Sequence, residues 1–415
     1  MAAGRGRVPA PEPARLAGRL RPGTGPDATG GNCRAGTGPA LAGLIVVSDD
    51  WSGLRARVRK AIDELVADGR ESGVQVAAYL DGRAIVEVQA GVADPATGRP
   101  LDADTPIWSV STGKGLTSTV VHVLAEQGRL DYDLRIAEVW PEFARHGKDA
   151  ITLRHVLAHT AGVPTLPADV TVEDFTDWDR MCAIVADTEP IAPPGALTAY
   201  HAWTFGWLVG EVVRRVTGRR VSQVLAEEVA GPLGVADELF LGVPETRLDR
   251  VAPVADRNLS ALFDVASANL PHFDRVAPPG VRPGAEVGRR RDFLAADVPA
   301  TGTMSARAVA RMFAALIGEV DGVRLISPAR LREVTTRATA PGPEWVFGQD
   351  MAWGLGYALE PDGAFGSSGS GGSVAYAYPD LGLTVAATKT LLSAGDGDPM
   401  EDLRVLIRDA VAGAR

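Results

Sequence analysis

The chain of 415 residues is poor in cysteine and in lysine. Its two cysteines, Cys33 and Cys182, show neither the spacing of a metal site nor that of a disulfide framework. Only four of its 42 basic residues are lysines, so a chain that nearly always uses arginine kept a lysine at four positions. This matters at Lys114, because arginine stays protonated and cannot act as a base, whereas lysine can.

Long apolar runs are also missing. No stretch of 18 or more apolar residues occurs, which excludes a transmembrane helix, and no convincing signal peptide is found. A net charge of −10 argues against binding to nucleic acid or to an anionic membrane surface. We therefore expect a cytoplasmic protein that acts on a small molecule, and its oligomeric state stays open.

A Ser-x-x-Lys pattern stands at Ser111 and Lys114, at the start of an apolar run that predicts a buried helix. Positions three apart lie on one helix face, so the hydroxyl and the amine would point the same way. With 16 serines and four lysines, about 0.15 such pairs would arise by chance. The pattern favours a serine nucleophile with a lysine base, and the alternative is a capping serine beside a solvated lysine.

The two ends of the chain carry strand patterns. Residues 51–67 predict a first helix, and residues 73–80 and 83–90 predict a hairpin with Asp81-Gly82 at its tip. A second hairpin is predicted at residues 373–378 and 383–390, followed by a closing helix at residues 400–411.

These patterns predict an α+β fold in which one antiparallel sheet is assembled from both termini. The sheet part would comprise residues 51–107 and 345–415, and a mostly helical region, residues 108–344, would be inserted between its halves. Residues 1–50 are rich in Gly, Pro, Ala and Arg without periodicity, which predicts a disordered tail.

Two histidines, His155 and His159, are four residues apart, which can be a metal-ligand spacing. No adjacent glutamate and no obvious third ligand accompany them, so we favour a structural role for both. Further on, a turn-rich loop leads through Tyr200 and His201 into an apolar helix. Tyr200 is the best candidate for an acid or base phenol, against a core tyrosine. His201 fits catalysis or packing equally well.

A glycine and serine run at residues 366–373 follows Trp353 and contains Ser367, Gly369 and Ser370. It lacks the lysine and the following helix of a phosphate-binding loop. A strand pattern follows it instead, and this favours a close approach of the backbone to a ligand.

Taken together, these segments resemble the serine β-lactamase-like superfamily over residues 52–412. The similarity is greatest to its class C-like branch of family VIII carboxylesterases, transacylases and D-aminopeptidases. The resemblance rests on Ser-Thr-Gly-Lys at 111–114, Leu-Arg-His-Val-Leu-Ala-His-Thr-Ala-Gly at 153–162, the loop around Tyr200, Pro-Leu-Gly at 232–234 and the run at 365–373.

The resemblance implies that Ser111 is acylated, that Lys114 is its base and that Tyr200 shares the proton transfer. The backbone N–H groups of Ser111 and Ser370 would form an oxyanion hole, and Gly369, Ser367, His201 and Trp353 would lie at the substrate site.

Two departures matter. Ala202 replaces the family's asparagine, and Ser367 stands where the family has lysine or histidine. The lost positive charge disfavours substrates with a carboxylate and favours neutral esters or bulky acyl groups. We therefore expect an ester hydrolase that needs no metal or organic cofactor. The alternatives are a transacylase that passes the acyl group to an amine or alcohol, and a catalytically degenerate relative that only binds a ligand.

Overall fold

The structure, a computed structural model, describes residues 50–415 except positions 394 and 396. Its main sheet has seven strands, in the order β3-β2-β1-β11-β10-β9-β8. The ranges of these strands are β1 Gly73–Leu80, β2 Arg83–Asp94, β3 Arg99–Pro100, β8 Ala358–Leu359, β9 Phe365–Ser368, β10 Val374–Tyr378 and β11 Leu383–Lys389. All pairings in this sheet are antiparallel.

The predicted first hairpin is confirmed. Leu80 pairs with Arg83 across a two-residue turn in which Asp81 and Gly82 both have positive φ, at 48° and 79°. This is the backbone that a type I′ turn requires, and it matches the twist of the two strands. The second hairpin is confirmed as well, as β10 and β11.

The two halves of the sheet meet where β1 pairs with β11, from Val74 opposite Lys389 to Leu80 opposite Leu383. Strands near the two ends of the described chain are thus direct neighbours, as the sequence predicted. The α+β fold class is confirmed.

Two terminal helices cover one face of the sheet. They are α1 Ser52–Ala67 and α15 Pro399–Ala412, both close to their predicted bounds. Leu54, Val58 and Ile62 of α1 are buried together with Ile407 of α15 in a core of their own, at helical spacing.

The other face carries the larger core and the inserted helices. Helix α13 packs on β1, β10 and β11, and α2 packs against β9, α7 and α8. The ranges are α2 Gly113–Glu126, α3 Ile136–Val139, α4 Leu153–Leu157, α5 Val172–Thr176, α6 Trp178–Asp187, α7 Thr204–Thr217, α8 Val221–Leu225, α9 Leu259–Asn269, α10 Phe273–Val276, α11 Ala285–Gly288, α12 Arg291–Ala295, α13 Ala306–Ile317 and α14 Pro328–Val334.

Short strands brace this helical part. Strands β4 Ile107–Trp108 and β5 Leu239–Phe240 flank β7 Thr303–Met304, and β6 Ala255–Asp256 pairs with β12 Leu391–Leu392. Because β4 ends three residues before Ser111 and β7 begins three residues after Ala300, this small sheet fixes two segments that meet at the site described below.

The predicted tail, including Cys33, lies outside the described residues, and the proposed domain boundaries stay a prediction. Cys182 is a buried free thiol on α6. Within the described part of the chain, no helix combines the length and apolar content that crossing a bilayer requires.

A buried ion cluster ties β11 to the segment before α15. The Lys389 amine lies 3.0 Å from a Glu71 carboxylate oxygen and 3.1 Å from one of Asp398, and its side chain has no exposed surface. A buried carboxylate that loses its partner is strongly destabilising. We therefore expect Lys389→Met to lower the free energy of unfolding by about 3–5 kcal/mol in urea titrations.

The matched control is Lys60→Met. Lys60 pairs with Glu64 at 3.7 Å on the surface of α1, where both side chains are more than half exposed. This substitution should change the free energy of unfolding by less than about 0.5 kcal/mol. Equal effects of the two substitutions would show that the buried cluster is not stabilising.

Candidate active site

Ser111 lies in a single 3-10 turn, Val110–Thr112, which continues directly into α2. Val110 has a φ of 47°, which is an outlier for a β-branched residue. Strained backbone of this kind persists only where surrounding structure holds it, and it is found most often at functional sites. The conformation of Val110 turns the chain from β4 toward α2 and places Ser111 at the positive end of the α2 dipole.

The Lys114 amine is within hydrogen-bond distance of the Ser111 hydroxyl, with Nζ 3.1 Å from Oγ. It also donates to the carbonyl of Ala300, at 3.1 Å. The side chain is buried, and this desolvation lowers the pKa of Lys114 to about 7. The amine is thus neutral in a large fraction of molecules near neutral pH and is able to accept a proton.

A glycine makes this contact possible. A Cβ on Gly113 would lie only 2.1 Å from the backbone of Thr301 and Gly302. With glycine there, the segment before β7 approaches α2 closely enough for the Ala300 carbonyl to reach Lys114. The glycine of Ser-Thr-Gly-Lys is therefore required by packing.

The Tyr200 phenol joins the same group. Tyr200 lines the same cavity as Ser111, and its ring centroid lies 5.0 Å from the Lys114 amine. Burial raises the pKa of Tyr200 to about 12, so the phenol stays protonated at physiological pH. Trp353 stacks on this ring with centroids 5.7 Å apart. The hydroxyl, amine and phenol predicted from sequence therefore converge.

Three successive backbone N–H groups hold the tyrosine in place. The N–H of Ala199 donates to the backbone oxygen of His159 at 2.9 Å. The N–H of His201 donates to Nδ1 of the same histidine at 3.1 Å. The N–H of Tyr200 donates to the carboxylate of Glu344. Both ends of this short segment are thus fixed by one buried histidine.

The two histidines of the 153–162 segment have separate structural contacts. His155 and Thr152 form a capping box at the start of α4. His159 is buried against Tyr200, Trp353 and Phe205. These contacts agree with the structural role favoured from the sequence.

His201 lies behind the site. Its Nε2 accepts from the N–H of Val163 at 3.3 Å, so its Nδ1 carries the proton that is donated to the Ala199 carbonyl. Burial lowers the pKa of His201 to about 4. The ring braces the loop, and the packing alternative weighed from the sequence is the one that the geometry supports.

Only part of the glycine and serine run, residues 366–373, lies at the cavity as the sequence predicted. Ser370 lines the cavity beside Ser111, and Gly369 lies just before it. The Ser367 hydroxyl instead packs against Gly115 of α2. The predicted close approach of this backbone is to the protein itself, since a Cβ on Gly369 would lie 2.3 Å from the Ser109 carbonyl oxygen.

A cavity of about 340 Å³ opens beside Ser111. Its polar lining consists of the Ser111, Tyr200, Thr301 and Ser370 side chains, and none of the described residues that line it is charged. The remainder is apolar, with walls from α9, α10 and the segment around Phe347. Such a cavity suits an uncharged, apolar group.

Sequence reasoning missed three parts of this site. Ala300 supplies a carbonyl across 186 residues of chain, and Glu344 reaches Tyr200 across 144. The third part is α9, which forms one wall of the cavity. No local pattern marks these residues, because their contribution comes from long-range contacts.

A serine within reach of a lysine and a tyrosine, between an antiparallel sheet and a helical region, defines the serine β-lactamase and esterase class. The family model described as Beta-lactamase matches residues 58–411, and the chain belongs to this family. It is a hydrolase of the esterase and β-lactamase type.

Three proteins of known name or structure are similar to this chain. "Esterase/beta-lactamase LipL" of Mycobacterium tuberculosis is 34% identical over 383 residues, which cover 87% of each chain. A crystal structure of a family VIII carboxylesterase is 33% identical, with a TM-score of 0.76 over 87% of this chain and 97% of the other. Monacolin J acid methylbutanoyltransferase of Aspergillus terreus is 27% identical over 38% of this chain and 43% of its own.

The lowered pKa of Lys114 predicts a pH dependence. Only the neutral amine accepts the Ser111 proton, so the rate at which a fluorophosphonate labels Ser111 should rise with pH through about 7. Lys114→Arg keeps the charge but cannot lose its proton, and should reduce labelling by about 10²–10⁴-fold. Lys60→Arg, on the exposed surface of α1, is the control. A wild-type rate that stays flat between pH 5 and 9 would contradict this prediction.

Proposed function

We propose that the protein hydrolyses neutral carboxylic esters through an acyl-enzyme on Ser111. Lys114 takes the hydroxyl proton while Oγ forms a bond to the ester carbonyl carbon. The tetrahedral intermediate then breaks the bond to the alcohol oxygen, and the alcohol leaves with a proton delivered through Tyr200 and Lys114. Water, activated by the same pair, cleaves acyl-Ser111 and releases the acid.

The observation that carries this proposal is the 3.1 Å contact between Ser111 Oγ and a buried lysine amine whose pKa is lowered to about 7. A solvated lysine would be protonated and could not serve as a base. Burial of Lys114 thus argues against the capping alternative and against a degenerate site.

The negative charge on the intermediate needs donors. We assign the backbone N–H groups of Ser111 and Ser370, because both residues line the cavity. Donors of this type lower the barrier by about 3–4 kcal/mol each, because they are aimed where charge develops.

The choice of neutral esters follows from the lining. With no charged residue among its described walls and no lysine or histidine at position 367, the lining of the cavity provides no positive side chain to pair with a substrate carboxylate. Two relatives that each cover 87% of the chain are named as an esterase/beta-lactamase and a family VIII carboxylesterase, and both names include the ester hydrolysis proposed here.

The direct test is turnover of p-nitrophenyl butyrate by the wild type and by Ser111→Ala. We expect the variant to lose activity by at least about 10³-fold, since it has no nucleophile, while its thermal unfolding stays unchanged. Mass spectrometry of the wild type with a fluorophosphonate should place the adduct on Ser111. Full activity of Ser111→Ala would exclude the mechanism.

The apolar cavity predicts a preference for longer acyl groups. Each buried methylene contributes about 0.8 kcal/mol, so kcat/KM for p-nitrophenyl esters should rise about fourfold per added CH₂ until the cavity is full. Ala266→Phe, on the wall formed by α9, should shorten the optimal chain. Val265→Phe, an exposed neighbour on the same helix, should not. An optimum at acetate for the wild type would contradict this reasoning.

Transfer of the acyl group to an amine or alcohol is the second candidate. It is favoured by the apolar lining, which holds no charged group to position water, and by the relative named as a methylbutanoyltransferase. Product analysis with an activated acyl donor and a panel of amines and alcohols decides between the two, because hydrolysis alone yields only the free acid.

A further inference from the structure

Glu344 is a buried carboxylate without a basic partner among the described residues. Glu344 is 1% exposed, and the hydrogen bonds that its side chain accepts come from backbone N–H groups. One oxygen accepts from Tyr200, and the other accepts from Val346 and Phe347 at 2.8 Å each.

An ionised carboxylate that is buried away from water has to be stabilised by hydrogen-bond donors or by a positive charge. Burial raises the pKa of Glu344, and the three N–H donors oppose that rise. Hydrogen bonds to a charged acceptor are about twice as strong as those between neutral groups. The carboxylate thus holds its three donors more firmly than an amide or hydroxyl would.

These donors belong to two segments that meet at the reacting hydroxyl. Tyr200 and Ser111 line the same cavity, and Phe347 is a wall of that cavity whose ring lies 6.0 Å from that of Tyr200. The N–H of Trp345 donates to the Thr198 carbonyl at 2.9 Å, which joins the same segments a second time. Glu344 is therefore the side chain that links the tyrosine to the cavity wall.

We propose that Glu344 is the positioning residue of Tyr200, holding its phenol in register with Ser111 and the cavity wall for acyl transfer. This inference rests on the proposed function. The backbone on either side of Tyr200 is held by His159, so Glu344 supplies the contact at the residue itself. Misplacement of a reacting group by about 1 Å costs about 10²-fold in rate.

The test is a double-mutant cycle on fluorophosphonate labelling, measured as a second-order rate constant. Glu344→Gln has only one acceptor oxygen, so it cannot serve both Tyr200 and the Phe347 segment. We expect it to label about tenfold to 10²-fold more slowly than the wild type. In a Tyr200→Phe background the same change should cost less than about twofold, because the group that Glu344 positions is gone.

Asp350→Asn is the matched control. Asp350 accepts from the N–H of Gly342 at 3.2 Å and from Arg337, so it holds the same loop without touching Tyr200. Its effect on labelling should be small and equal in both backgrounds. Thermal unfolding of each variant establishes that it is folded, and Glu344→Asp, which keeps the charge but is one methylene shorter, replaces Glu344→Gln in the cycle if the latter does not fold.

Labelling of folded Glu344→Gln, or of Glu344→Asp in its place, at the wild-type rate would overturn the inference. An equal loss in the Tyr200→Phe background would overturn it too, since Glu344 would then act through general loop order. Failure of the proposed function looks different, because Ser111→Ala or Tyr200→Phe would then label as fast as the wild type.

Discussion

The contact between the Ser111 hydroxyl and a desolvated Lys114 amine is the interaction on which the site depends. A lysine in water is protonated at neutral pH, so its nitrogen has no free lone pair with which to accept a proton. Burial of the Lys114 side chain disfavours the charged form and lowers its pKa to about 7. The surroundings of Lys114 are arranged to keep water out, including the close approach of Thr301 that only Gly113 permits.

Desolvation of Lys114 costs free energy, and the packing of the rest of the fold provides the stability that offsets this cost. The central pairing of β1 with β11 joins the two ends of the described chain, and cores on both faces of the sheet bury its apolar residues. The helical region between the halves then brings Ala300, Tyr200 and the α9 wall to the start of α2. The described residues that line the cavity beside Ser111 carry no charge.

Sequence periodicity predicted much of this architecture. Both hairpins, the terminal helices and α2 follow local patterns, and the register at Asp81-Gly82 follows from turn chemistry. Local pattern says less about α4, a helix of only five residues, Leu153–Leu157. Capping by Thr152 starts that helix, and the positive φ of His159 follows its end.

By itself, the sequence determined the fold class and singled out Ser111, Lys114 and Tyr200 as candidate catalytic residues, because strand alternation, turn residues and a short motif are local properties of the chain. Only the tertiary structure decided that Lys114 is buried, that His201 and Ser367 lie behind the cavity, and that Glu344 holds Tyr200. Desolvation and hydrogen bonding across more than a hundred residues depend on how distant segments pack, and no local pattern records that packing.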